Sequence, residues 1–458
     1  MIERLEAHLR ALVEGDHARL TPAGAGPVVQ ELLDPSFVKD RLVEVRRQSG
    51  PAPGISAAHY EEAFAELERG ARERPEQPFM PHSATASLAQ SALSRCVESR
   101  IEHVLDAIPH GDSAIGHAIE QVLGIFRKFG PCDPAWIQTK IAEGIALFEG
   151  RPAFPNEPAP PARLEPNARL IVVGDWGTGV LGAIKVGQQM RRVLDATESG
   201  RQCHVVHLGD IYYSGWPEEC RDRFLRYWPV ARQDENVLSW TLSGNHDMYS
   251  GGHGYFDVVL RDPRFRGHRL QPGSAQECSS HFSLENDHWQ VLGLDTGYKD
   301  HDLAGDQAQW VQQKLSDAEH RTMLMSHHQP FSTFEDVTAP MLQTLRSAFA
   351  VRKLDAWLWG HEHRAIAYEK GAADYLDYGY CIGHGGVPVV MTGTEIAEHS
   401  EVEWAFKEAL DQGGTPWGLH GFAIVDFNGP EFSIQFRDED GRVNYPPPAT
   451  QAAAPPAP

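Results

Sequence analysis

The pattern of apolar and polar positions changes character near residue 150. Before it, apolar residues recur at helical spacing. Ile2, Leu5, Leu9 and Leu12 share one face, as do Val97, Ile101, Val104, Leu105 and Ile108, and then Ile115, Ile119, Val122, Leu123 and Phe126. Asp112 or Ser113 is placed to cap that last helix and Gly130-Pro131 to stop it; Asp133-Pro134 opens another, with its stripe at Ile137, Ile141, Ile145 and Phe148. No repeat marks a solenoid. Residues 1–150 are expected to form an all-helical accessory domain. Residues 151–166 are rich in Pro and read as a semi-rigid, extended linker.

From residue 167 the pattern alternates strands with helices. Ile171-Val172-Val173 ends abruptly at Gly174-Asp175, as a buried strand does when it delivers one carboxylate to the loop at its C-terminal end. The device recurs. Val205–Leu208 leads into Gly209-Asp210, Leu238–Leu242 into Gly244-Asn245-His246-Asp247, Met323–Met325 into Ser326-His327-His328, and Ala356–Trp359 into Gly360-His361-Glu362-His363. Two hairpins complete the region, one turning at Asn286-Asp287 and one at Asn428-Gly429, with Phe432, Ile434 and Phe436 on one face of the second. The catalytic domain is therefore expected over 167–441 as a layered α/β sandwich with two sheets and a site at one edge of the strands. The Pro/Ala-rich tail 442–458 is expected to be disordered.

Composition narrows the class. A chain of 458 residues has room for two or three domains, and 41% hydrophobic with 23% charged residues is ordinary for a protein with real cores. The net charge of −22 and the lack of a Lys/Arg run argue against a nucleic-acid partner or an anionic membrane surface. No signal-peptide pattern opens the chain and no stretch reads as a membrane span. The six Cys form no CxxC pair and read as core thiols, which points to a cytoplasmic address. Nothing in the pattern bears on the oligomeric state.

The strand-end groups are Asp175, Asp210, Tyr213, Asn245, His246, His327, His361 and His363. This mixed oxygen and nitrogen set suits hard to borderline cations and lacks the thiolates of a structural zinc site. It is too large for one ion. It fits two ions roughly 3.5–4 Å apart that share a carboxylate, the arrangement used for in-line displacement at phosphorus. Asp175, Asp210 and Asn245 are spaced 35 residues apart, about one βαβ unit each.

Gly174-Asp175-Trp176-Gly177, Gly209-Asp210-Ile211-Tyr212-Tyr213, Gly244-Asn245-His246-Asp247, Ser326-His327-His328 and Gly360-His361-Glu362-His363 resemble the five motif blocks of the calcineurin-like metallophosphoesterases, over roughly residues 168–440. The first block departs from the usual Asp-x-His, because Gly177 stands where a His ligand would be; with Tyr213 in compensation, the set resembles the purple acid phosphatase branch. The resemblance implies a four-layer α/β/β/α sandwich. It implies that Asp210 bridges two metals, that Asp175, Tyr213 and His363 complete the first site, and that Asn245, His327 and His361 complete the second. His246 would then face the substrate phosphate. A phenol titrates near 10 and ligates mainly to a strong Lewis acid, so Fe(III) is implied in the first site and Fe(II), Zn or Mn in the second.

Each residue also has a plainer reading. Asp175 and Asp210 fit helix N-caps, His246 a satisfied structural His, and Tyr212 a core aromatic. His328, His253 and His384, the last two in Gly-rich loops, and Arg364 are candidates for lining the substrate cleft, against the alternative of ordinary packed or surface residues. The expected function is hydrolysis of small-molecule phosphomonoesters by a metal-activated water. The alternatives are a phosphodiesterase of cyclic-nucleotide or lipid type on the same metals, and a binding or scaffold protein with an inert metal domain.

Overall fold

A computed structural model of the protein describes residues 151–446, apart from 235, 318, 335, 336, 338, 390, 392–399 and 413–414. The expected helical region 1–150 and residues 447–458 lie outside the described residues.

The strands, in chain order, are β1 (Ala162–Arg163), β2 (Arg169–Val173), β3 (Cys203–His207), β4 (Val237–Thr241), β5 (Phe282–Glu285), β6 (Trp289–Gly293), β7 (Arg321–Ser326), β8 (Leu354–Trp359), β9 (Ala365–Tyr368), β10 (Leu376–Ile382), β11 (Val402–Ala405), β12 (Ala409–Gln412), β13 (Thr415–Gly418), β14 (Gly421–Asn428), β15 (Glu431–Asp438) and β16 (Val443–Tyr445). They form a six-stranded sheet in the order β16-β15-β14-β2-β3-β4 and an eight-stranded sheet in the order β1-β5-β6-β7-β8-β10-β9-β11; β12 and β13 make a separate ribbon. Within the first sheet β2, β3 and β4 run parallel, and within the second β6, β7 and β8 do.

Strand alternation decides the layers. On β2, Leu170 and Val172 face the second sheet; Val206 and Trp240 of the first sheet, Leu208 just past β3, and Met323, Met325, Ala356 and Leu358 of the second sheet close the core between them. The intervening Ile171 and Val173 face outward, with Ala183, Val186 and Met190 of helix α1 (Leu181–Ala196) packed over them. The second sheet presents Leu324, Trp357 and Trp359 to its own cover, Val311 and Leu315 of helix α2 (Gln307–Asp317). The result is the expected order of helix, sheet, sheet, helix. Because both faces of β2, β3, β7 and β8 are buried, these strands read as continuous apolar runs.

Two boundaries differ from expectation. Residues 151–166 are extended but packed onto the domain. Ala159 and Leu164 are buried, β1 pairs with β5, and Phe154 stacks on His281. Proline sets the extended backbone, while the apolar residues between the prolines give it something to bury. The tail begins later than residue 442, because β16 pairs with β15 and Tyr445 packs on Trp404 and Phe436. No helix among the described residues is long and apolar enough to cross a membrane.

Candidate metal centre

The loops that leave β2, β3, β4, β7 and β8 meet at one end of the sandwich. Backbone bonds tie them to one another. The Asp175 N–H donates to the Gly209 carbonyl at 3.0 Å, Gly360 to the His327 carbonyl at 3.0 Å, and Gly174 to the Ile382 carbonyl at 2.9 Å. The chain turns sharply there. Among the described residues, the non-glycine positions with positive φ are Asp175 (54°), Asp210 (72°), His361 (69°), His363 (52°) and His301 (62°). A left-handed backbone costs a residue with a Cβ of order 1–3 kcal/mol and persists where its surroundings over-determine it, as functional sites do. Four of the five were singled out from the sequence.

The first donor group comprises Asp175, Asp210 and His363, whose donor atoms lie within 4.8 Å of one another. A tyrosine joins it, and it is Tyr212. Its hydroxyl oxygen is 2.9 Å from Asp175 Oδ1, 3.0 Å from Asp210 Oδ2 and 2.9 Å from His363 Nε2. Tyr213, the expected ligand, is turned the other way. Its ring packs with Tyr212 and Val387 and lies under the Arg223 guanidinium, while its N–H donates to Glu219 and its carbonyl accepts from His246. These main-chain anchors fix which of two adjacent tyrosines faces inward.

The second group comprises Asp210, His327 and His361, again within 4.8 Å. His327 Nε2 stands 3.4 Å from Asp210 Oδ2, 3.2 Å from Asn245 Oδ1 and 3.1 Å from His361 Nδ1. Its Nδ1–H donates to the Leu208 carbonyl, which directs the Nε2 lone pair inward. The Asn245 amide is oriented by donating to the Tyr249 hydroxyl at 2.8 Å. Asp210 thus belongs to both groups.

The donor set calls for positive charge. Burial pushes the Asp175 carboxyl up, and the neighbouring Asp210 charge adds to that against the pull of His327. For Asp210, burial also opposes ionisation, but His327 and His246 hold it well below the usual carboxylate range. Burial opposes the charge on His327, yet Asp210 beside it lifts the imidazole to about 9. Burial and the two carboxylates push the Tyr212 phenol well up. Two fully buried carboxyl groups, one of them pushed toward its neutral form, with an imidazole and a phenol beside them are a set whose deprotonated, ligating forms a cation would stabilise.

The remaining expected residues separate in space. His246 is buried, its ring 4.5 Å from that of Tyr212, its N–H on Asp210 Oδ1 and its Nδ1 2.7 Å from the Tyr213 carbonyl. His328 is buried beside His361 and His327, with Nδ1 3.0 Å from the Thr296 hydroxyl. Arg364 and His384 line, with His363, a small cavity walled by Val387 and Phe406. His253 pairs with Asp257 in its own helical segment.

With that geometry in place, a family comparison decides the class: the model of the calcineurin-like phosphoesterases matches residues 168–365. Residues 168–365 are a calcineurin-like phosphoesterase domain. Among solved structures, the chain is similar to GAP50, the anchor in the inner membrane complex of Plasmodium, at 14% identity and a TM-score of 0.40, over 61% of this chain and 87% of that one. It is also similar to a conserved protein of Streptococcus pneumoniae described as a predicted phosphoesterase, at 12% identity and a TM-score of 0.25, over 61% of this chain and 94% of that one. A search of the curated proteins returns no match.

The phosphoesterase domain uses residues that the motif reading passed over. The Asp247 carboxylate accepts from the N–H groups of Asp210, Ile211 and Gly244, so it shapes the loop that carries Asp210. Glu362, between the two histidines of its block, accepts from the Trp359 indole and the Ser332 hydroxyl. His301 brings a further imidazole to within 3.8 Å of His328, ring to ring. Asp247 and Glu362 stood inside quoted motifs, and their acidic type in buried positions was the available signal. His301 lies outside every motif.

Proposed function

We propose that the domain is a binuclear metal-dependent hydrolase of phosphomonoesters, resembling the purple acid phosphatases in its use of a tyrosine. The observation that carries this reading is the Asp210 carboxylate standing in two donor groups at once. In the first group Asp175, Asp210, Tyr212 and His363 would hold one cation; in the second Asp210, Asn245, His327 and His361 would hold the other. Such a pair supplies Lewis acidity toward a phosphoryl oxygen and a water activated near neutral pH. Fe(III) fits the first position, because a phenol titrates near 10 and ligates as phenolate mainly to a strong Lewis acid. Fe(II), Zn or Mn fits the second.

The chain's own residues do the rest. Asp247 holds the Asp210 loop and Asn245 is held by Tyr249, so the donors keep their places between turnovers. His246 has its Nδ1–H committed to the Tyr213 carbonyl, so Nε2 is the nitrogen that exchanges a proton with the leaving group. Arg364 with His384 flanks the part of the substrate beyond the phosphate. The substrate is a small phosphoester, and the protein works in the cytoplasm.

Hydrolysis of p-nitrophenyl phosphate by the metal-loaded chain, faster than that of bis-p-nitrophenyl phosphate, tests the reading. The reverse ranking makes the enzyme a diesterase, and metal-loaded protein that turns over neither ester ends the proposal. Asp210→Ala should remove metal and activity together. Iron-loaded protein should be coloured by a tyrosinate, and Tyr212→Phe should bleach it while Tyr213→Phe leaves the colour; the opposite pattern returns the ligand role to Tyr213.

A further inference from the structure

Beside the two donor groups stands a third, made of His301, His328 and His361, with donor atoms again within 4.8 Å of one another. We infer that His301, His328 and Asp300, together with the outer side of His361, form a third cation site next to the binuclear pair.

Four observations converge on it. His328 is fully buried, its Nδ1 is taken by the Thr296 hydroxyl, and its Nε2 is buried with no hydrogen-bond partner. A buried imidazole nitrogen without a partner is costly, and a cation satisfies it. The Asp300 carboxylate is the nearby anion: its Oδ1 lies 3.5 Å from that Nε2 and 3.0 Å from His301 Nδ1. His301 adopts the left-handed backbone otherwise confined, among the non-glycine residues described, to Asp175, Asp210, His361 and His363. The loop that presents it is pinned, with Asp302 accepting from Thr344, Lys299 paired to Asp302, and the His301 carbonyl accepting from Met341.

Three imidazoles and one carboxylate are a set for zinc or a similar late divalent ion, and a poor one for magnesium or calcium. Donor atoms around tetrahedral zinc at about 2.0–2.1 Å stand roughly 3.4 Å apart, so about an ångström of closing draws this group in. His361 serves both neighbours without contradiction. Its Nδ1 faces His327, so its other nitrogen is left for the third cation; with both ions bound the ring bridges them as an imidazolate, its N–H proton having passed to solvent. The site therefore goes beyond the two-cation reading, though it adjoins it.

The test is metal content of the full chain after dialysis against zinc, measured by mass spectrometry, beside the visible spectrum on titration with cobalt. The wild-type chain should bind three zinc ions, and cobalt in the third site should give intense tetrahedral bands. His301→Gln lies on a partly exposed loop; it should bind two ions, lose those bands and keep its hydrolytic activity. Asp210→Ala should bind one ion, in the third site alone. Saturation of the wild type at two ions, or three ions retained in His301→Gln, overturns the inference. A wild type that binds one ion, lost in His301→Gln, keeps the third site and defeats the binuclear reading instead. The cobalt spectrum of the wild type reads the site without recourse to any variant.

Discussion

At the scale of single residues, the sequence marks which polar side chains the strand ends bring together, and not how adjacent ones turn. Asp175, Asp210, Asn245, His327 and His361 stand out because each follows an apolar run that ends at a small residue, and His363 because it lies two residues beyond His361. Adjacent tyrosines defeat that logic. Tyr212 and Tyr213 share composition and context, and the choice between them is made by Glu219 and His246, which grip the main chain of Tyr213 from elsewhere in the fold. The small residues are as specific as the donors. A Cβ added at Gly244 would collide with the Asp210 carboxylate, which a flexible neighbour could evade but this one, held by His246 and Tyr212, cannot. Gly244→Ala should lower the hydrolytic rate by about 100-fold or more, the penalty expected when a reacting group is misplaced by about an ångström. Metal content measured on the same sample should fall with it; a fully loaded and active Gly244→Ala would show that Asp210 has more freedom than its contacts allow.

At the scale of elements, strand positions and the hairpins followed from period and run length, and the order of strands within each sheet did not. Both hairpins turn where Asn286-Asp287 and Asn428-Gly429 mark them, and the parallel strands are those with continuous apolar runs. The strap at 151–166 was legible as extended but not as packed, because its partners His281 and Tyr298 lie far along the chain. The loops that carry the donors depend on one side chain that does no chemistry. Asp247 takes three backbone N–H groups, two of them on the Asp210 loop. Removing the acceptor leaves three buried donors without partners, each worth about 1–3 kcal/mol. Asp247→Ala should therefore lower stability by roughly 3–5 kcal/mol in chemical denaturation and empty the metal centre. Asp247→Asn, which retains one acceptor oxygen, should lose less of both. Equal losses in the two variants would mean that the carboxylate's bonds are not what holds the loop.

At the scale of the whole molecule, the layered sandwich brings an uncommon number of imidazoles out of water, and this sets the pH range in which the protein stands. Burial depresses His204 and His268 to about 4, and His281 and His384 to about 3. In the unfolded chain each titrates near 6.5. The folded form thus favours the neutral ring, so the contribution to stability is complete above about pH 6.5 and is lost progressively as pH falls toward the folded values. By pH 5 each ring has given up about 2 kcal/mol, and four together approach the whole margin of a typical domain. The melting temperature should therefore drop steeply between pH 7 and pH 5, in 0.15 M salt to screen surface charge. His281→Phe, which keeps a ring against Phe154 but cannot be protonated, should show a shallower drop. A melting temperature flat across that interval would mean that the buried rings find proton acceptors on opening slightly, and the argument from burial would fail. The same arithmetic bears on the enzyme. A hydrolytic centre in this sandwich would have its catalytic range cut off on the acid side by the fold before the chemistry sets a limit, so the profile of hydrolysis should fall together with the melting curve below about pH 5.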